Sequence, residues 1–181
     1  HSDLRRQRQM CIRDRGKTTF IDAVTGMVPS TGHVLLDDVD ITTMPPADRA
    51  QRGLVRTFQT LELFEDLSVE DNLAAAALHT PWWQFLVDAL VPRRGRGTLP
   101  AVEAALELLD LTDDRHRLPA DLSHGRRRLV GVARALAAGP RVLLLDEPAA
   151  GLDSAESTAL GHRLQAIADT GVTVFLIDHD M

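Results

Sequence analysis

The stretch Arg141-Val-Leu-Leu-Leu-Asp146-Glu147-Pro148 constrains the fold more than any other part of the chain. The run Val142–Leu145 is apolar at every position, so it has no face to give to water. Bounded by Gly139-Pro140 and by Pro148, it is too short for a buried helix and reads as a strand. A strand buried on both faces belongs inside a parallel sheet covered by helices. It also ends in two adjacent carboxylates, Asp146 and Glu147. Placing ionised groups at the end of a buried strand is costly unless they perform work there.

The rest of the pattern agrees with an α/β fold. Val172–Ile177 reads as a second buried strand. The helix between the two is capped by Asp153 and Glu156, with Leu160, Leu164, Ile167 and Ala168 turned inward. Lys17–Val24 reads as a short helix closed by Gly26 and then Pro29. Val34–Ile41 reads as strand, with Asp37-Asp38 available for a tight turn, and Leu54–Phe58 as another strand. From about 68 to 120 the pattern is helical. Ser68-Val-Glu-Asp71 resembles a capping box opening a helix through Leu78. The region 79–98 is irregular, with Trp82-Trp83 and an Arg/Gly cluster; Pro100 then opens a helix with Val102, Leu106 and Leu109 on one face. After Ser123, Leu129, Ala133, Leu136 and Ala137 repeat at helical spacing. The predicted architecture is a mostly parallel sheet with an inserted α-helical subdomain.

Composition narrows the function. The 181 residues suffice for one domain with its own core. A net charge of −6 argues against a general nucleic-acid binder, and the triplet Arg126–Arg128 reads as a solvated helix face. No apolar run approaches the ~18 residues that span a bilayer, and Trp82–Val91 is short and contains Asp88. The polar, Arg-rich start does not read as a signal peptide. The single cysteine, Cys11, forms no internal disulfide, which fits a reducing compartment. Lys17 is the only lysine in the chain.

That lysine lies in Gly16-Lys17-Thr18-Thr19, the end of a phosphate loop of the form G-x-x-x-x-G-K-[ST]. Backbone N–H groups at a helix N-terminus cradle phosphates. Lys17 would reach the β- and γ-phosphates, and the Thr18 hydroxyl would hold Mg2+. In that company Asp146 would bind Mg2+ through water, and Glu147 would polarise the attacking water as general base. The first half of the loop departs from the pattern. Cys11 stands where its first glycine falls, Asp14 would repel phosphate, and Arg5–Gln9 is too polar for a buried strand. Residues 5–14, RRQRQMCIRD, instead resemble, at every position, one reading frame of a transposase-based sequencing-library adapter. Residues 1–15 are therefore expected to be foreign, and the chain a piece of a longer subunit cut at both ends, with a weakened hold on nucleotide.

Leu122-Ser-His-Gly-Arg126, just ahead of the Asp146-Glu147 strand, is similar to the LSGGQ signature, and residues 16–181 resemble the ABC transporter ATPases. The resemblance implies a P-loop core over 16–67 and 126–181, with the helical subdomain and signature over 68–125. It implies ATP and Mg2+ as cofactors, contacted by Gly16, Lys17, Thr18 and Thr19. Ser123 and Gly125 would meet the γ-phosphate of ATP held by a second subunit, identical or different. Gln59, after Val55-Arg-Thr-Phe58, matches the Q-loop glutamine that approaches Mg2+ and the attacking water. Gly151-Leu152-Asp153 matches the D-loop, and His179 the switch histidine on the γ-phosphate. Thr57-Phe-Gln59, Leu63-Phe64, Glu147-Pro-Ala-Ala-Gly-Leu152, Asp178-His-Asp-Met181 and the insertion between Leu78 and Leu99 look most like branched-chain amino-acid importer ATPases. Implied partners are transmembrane permease subunits and, indirectly, a solute-binding protein, at the cytoplasmic face of the cell membrane, with no nucleic acid. The alternatives are a soluble ABC ATPase of another process and a nucleotide-binding-defective module. Two signature positions depart from the pattern, His124 and Arg126. Arg126 adds positive charge near an anion, so function is expected to be kept. Trp82-Trp83 either touch the membrane subunit or cap the helical region.

Overall fold

The computed structural model describes residues 16–57, 63–77 and 99–178. Helix α1, Lys17–Thr25, stops where Gly26 takes the left-handed conformation, φ 79°. There the Met27 and Gly26 N–H groups donate back to the carbonyls of Asp22 and Ala23, at 2.8 and 3.1 Å, which satisfies two of the helix's terminal acceptors. The stretch read as strand with a tight turn at Asp37-Asp38 is a hairpin of β1 (Leu35–Leu36) and β2 (Val39–Asp40), with Leu36 opposite Val39. Its turn residues, Asp37 and Asp38, both have positive φ, 48° and 63°. A two-residue hairpin needs that geometry to match strand twist, and Asp tolerates it. The Asp40 carboxyl is pushed down from 3.8 to about 2 by hydrogen bonds from Thr42 and then His33.

Helix α2, Pro46–Gln51, leads into β3, Leu54–Arg56. β3 pairs parallel with β4, Val142–Asp146, and β4 pairs parallel with β5, Thr173–Ile177. Between β3 and β4 the described elements are helical: α3 (Val69–Ala77), α4 (Pro100–Leu108), 3-10 turns at Thr112–Asp114 and Pro119–Asp121, and α5 (His124–Ala137). α6, Ser154–Asp169, connects β4 to β5. At the start of α3 the Ser68 Oγ accepts the Asp71 N–H at 3.1 Å, and its hydroxyl donates to the Asp71 carboxylate at 2.6 Å. The reciprocal half of a capping box is thus a side-chain bond. At α6 the box is complete, with Asp153 and Glu156 capping each other's N–H groups.

β4 divides the core between two layers. Leu143 and Leu145 join the large cluster formed by α3, α4, α5 and α6, while Leu144 joins Ile21, Ile41, Leu54 and Ile177 on the other side. That alternation is the period of two of a strand. All three leucines are essentially buried, each worth ~1.5–3 kcal/mol relative to exposure. β5 corrects the expectation of a second fully buried strand. Thr173 is exposed, Val174–Leu176 are half-buried and only Ile177 is buried, because among the described residues β5 has a neighbouring strand on one side alone.

Arg49 fixes α1 to the hairpin. Only 4% exposed, its guanidinium donates to the carbonyls of Met44 (2.9 Å), Val24 (2.6 Å), Ala23 (3.3 Å) and Thr42 (2.5 Å). Two of these close the C-terminal end of α1, where a cation also complements the helix dipole. Arg49→Met is expected to lower unfolding free energy by about 3 kcal/mol, since several buried carbonyls lose charge-assisted partners. Urea denaturation checks this; a loss below ~0.5 kcal/mol, the range of an ordinary surface change, would show that water replaces the guanidinium.

Candidate active site

The site forms at the carboxyl ends of the parallel strands, where open α/β sheets bind ligands. Asp146 is the last residue of β4 and is 2% exposed. Among the described residues neither of its carboxylate oxygens has a hydrogen-bond partner. A desolvated, unpaired carboxylate costs several kcal/mol, and a hard cation is the ligand that relieves it. No group of three or more His, Cys, Asp or Glu able to hold a metal occurs among the described residues.

Glu147 follows in an unusual backbone state, φ 49°. Its N–H donates to the Ile177 carbonyl at 2.7 Å, which ties the end of β4 to the end of β5. Its carbonyl accepts from the Ala150 N–H at 3.2 Å, beginning the turn toward Gly151.

α1 packs on β3 and β4. Ile21 shares a cluster with Leu144 and Ile177, residues near the strand ends, and the Phe20 ring lies 5.8 Å from that of Phe175. Asp22 forms an ion pair with Arg56 at the end of β3. Gly16 precedes the helix in right-handed conformation, and the first turn carries no acidic residue to compete with an anion. This positions the Gly16-Lys17-Thr18-Thr19 segment as a helix start.

The signature segment opens α5. Ser123 is its N-cap, the Oγ accepting the Arg126 N–H at 3.3 Å, and no acidic residue lies in its first turn. Gly125 lies close to the next helix: a Cβ there would stand 2.7 Å from Glu156 Oε1, at the end of that side chain. The start of α5 thus packs against the start of α6. Asp153 is seen here as the cap of α6, accepting the Glu156 N–H at 2.8 Å.

The arginine triplet departs from expectation. Arg126 does not face outward toward an anion; its guanidinium turns back to the Asp110 carbonyl and to Asp114, 3.3 Å away. Arg127 pairs with Glu65, and Arg128 donates to His124 and to the Glu147 carbonyl. All three are half-buried rather than solvated, because acceptors from the 65, 110–114 and 147 segments converge on this helix. Sequence reasoning missed Arg128, Arg49 and Arg56. The signal for Arg128 was its place four residues after His124, one helical turn on. Gln59, His179, residues 1–15 and Trp82-Trp83 lie outside the described residues.

A parallel α/β core carrying Gly-Lys-Thr-Thr at a helix start and Asp-Glu at a buried strand end defines a P-loop nucleotide-hydrolysing protein. Residues 15–150 match the family model described as ABC transporter. The chain belongs to that family and is an ATP-binding, ATP-hydrolysing cassette. It is 36% identical over 172 residues to the high-affinity branched-chain amino acid transport ATP-binding protein BraF of Pseudomonas aeruginosa, covering 92% of this chain and 68% of that protein. The corresponding LivG of Escherichia coli is 34% identical with the same coverages. The lipopolysaccharide export system ATP-binding protein LptB of Escherichia coli is 35% identical over 167 residues, covering 92% and 65%. Among solved structures, an ATP-binding cassette of an ABC transporter superposes with a TM-score of 0.77 at 28% identity, covering 92% of this chain and 67% of that one. Its ADP conformation gives 0.75 at 27%, covering 92% and 66%.

Proposed function

We propose that this subunit hydrolyses Mg-ATP to drive an importer of branched-chain or related small amino acids or amides. The observation that carries the hydrolytic part is Asp146, buried and without a hydrogen-bond partner among the described residues, directly ahead of Glu147. Gly16, Lys17, Thr18 and Thr19 bind the phosphates. Thr18, Asp146 and Gln59 would hold Mg2+, which supplies positive charge to the β- and γ-oxygens when bound. Glu147 takes the proton of the attacking water as its oxygen meets the γ-phosphorus, with Gln59 aligning that water and His179 contacting the γ-phosphate. Ser123 and Gly125 receive the γ-phosphate of ATP on a second subunit, and Asp153 lies at the same interface.

The motion passes to transmembrane permease subunits, which place the protein at the cytoplasmic face of the membrane. Among the described residues no helix is long and apolar enough to cross it. A depression lined by Leu63, Phe64, Ala75, Ala76 and Arg134 supports a docked partner, with Phe64 54% exposed and the Arg134 guanidinium 5.7 Å from its ring. The similarity to LptB, within a percentage point of that to BraF, favours lipopolysaccharide export as the second reading. Co-expressed with its permeases, the subunit is expected to support ATP-dependent uptake of labelled leucine, and Lys17→Ala to reduce it by about 100-fold or more. Uptake indifferent to Lys17→Ala rejects the role. Rescue of lipopolysaccharide export in cells lacking LptB, without uptake, would select the second reading.

A further inference from the structure

Glu147 occupies a conformation, φ 49°, that residues with a Cβ rarely adopt, and it precedes Pro148, which pushes its neighbour toward extended backbone. Such a residue persists only where its surroundings over-determine it. Two backbone bonds contribute, from its N–H to Ile177 and from the Ala150 N–H to its carbonyl. A third comes from a side chain: Arg128 Nη1 donates to the Glu147 carbonyl at 3.2 Å.

The same guanidinium makes a second bond. Arg128 Nε donates to His124 Nε2 at 3.2 Å. His124 thus faces the Arg128 guanidinium through Nε2. His124 also lies over the turn that follows Glu147, its Nε2 3.5 Å from where a Cβ of Gly151 would be. One permanently charged, planar donor thus joins the signature segment at the start of α5 to the peptide that carries Glu147, within a single subunit.

We propose that Arg128 is a positioning residue for hydrolysis, which fixes the Glu147 peptide to the helix that Ser123 caps. Movement of α5 toward or away from a phosphate at Ser123 then moves the carbonyl of Glu147 with it. Cradle and base are placed as one unit. The proposal rests on the reading of Glu147 as general base.

The chain itself, Arg128→Ala, Arg128→Lys and Glu147→Gln are compared in two ways. Phosphate release is titrated with Mg-ATP to separate kcat from KM, and amide exchange of residues 147–151 is followed without nucleotide. Arg128→Ala is expected to lower kcat about tenfold or more with KM changed by less than about twofold, the mark of an interaction that acts on the transition state. Exchange at Ala150 should accelerate by about tenfold or more, and the His124 Nε2 resonance should lose its hydrogen-bonded shift. Arg128→Lys, which keeps the charge but offers one nitrogen for two acceptors, should recover part of both. If Arg128→Ala does not fold, Arg128→Gln is held to the same criteria. Parental kcat and parental exchange in the Arg128 variants, with turnover lost in Glu147→Gln, would overturn the proposal while leaving the base reading intact. Parental turnover in Glu147→Gln would overturn the base reading, and the catalytic role of Arg128 with it.

Discussion

Glu147→Gln is expected to lower steady-state ATP turnover by about 100- to 1,000-fold while leaving ATP binding within a few-fold of the parent, the range for removing a positioned general base. The substitution is well matched to the site. Gln keeps the volume, and the backbone bonds of residue 147 with Ile177, Ala150 and Arg128 do not change. What is lost is the carboxylate that takes a proton. A companion variant separates chemistry from strain. Glu147→Gly removes the cost of a Cβ at φ 49° and should leave stability unchanged or raise it by about 1 kcal/mol, yet lose turnover equally. If binding weakened in step with turnover, Glu147 would belong to the phosphate cradle instead. Phosphate release near the parental rate would remove it from the base role altogether.

The sheet and the carboxylate pair were legible because both rest on local chemistry. Four apolar residues between Pro140 and Pro148 admit little but a central strand, and its burial follows from that pattern. The capping residues Ser68 and Asp153 were legible for the same reason, since a cap acts within three residues of itself. What failed depends on sequence-distant partners. Arg126–Arg128 read as solvated because charges usually are. Their acceptors, Asp110, Asp114, Glu65 and the Glu147 carbonyl, come from segments up to 62 residues away, which periodicity cannot locate. Arg49 escaped notice likewise, since all four of its acceptors are backbone carbonyls that no side chain announces.

Asp146→Asn should move stability and activity in opposite directions. In the parent, both oxygens of Asp146 are buried and lack hydrogen-bond partners among the described residues, so folding without metal takes an ion out of water. No salt bridge involving Asp146 is formed among the described residues. Asn keeps the shape and replaces the ion by a neutral amide, whose unsatisfied burial costs ~1–3 kcal/mol rather than the several of an unpaired charge. The metal-free variant should therefore be more stable by about 1–2 kcal/mol, a rise in Tm of roughly 2–6 °C for a domain of this size. With Mg-ATP the order should reverse. The parent gains stability as ligand binds the folded state alone, about 2.7 kcal/mol at a hundredfold excess over Kd, whereas the variant, without a carboxylate for the cation, should gain much less. Its turnover should fall by about 100-fold or more, since the charge that neutralises the transferring phosphoryl group is no longer held in place. Urea denaturation with and without Mg-ATP, alongside phosphate release, reads all three. A variant less stable than the parent in the absence of Mg2+ would mean that Asp146 is satisfied in solution by ordered water, and the orphaned carboxylate would no longer argue for a cation. A variant more stable without metal, unresponsive to Mg-ATP and inactive would mean that the end of β4 sacrifices stability to keep a charge where the cation must sit.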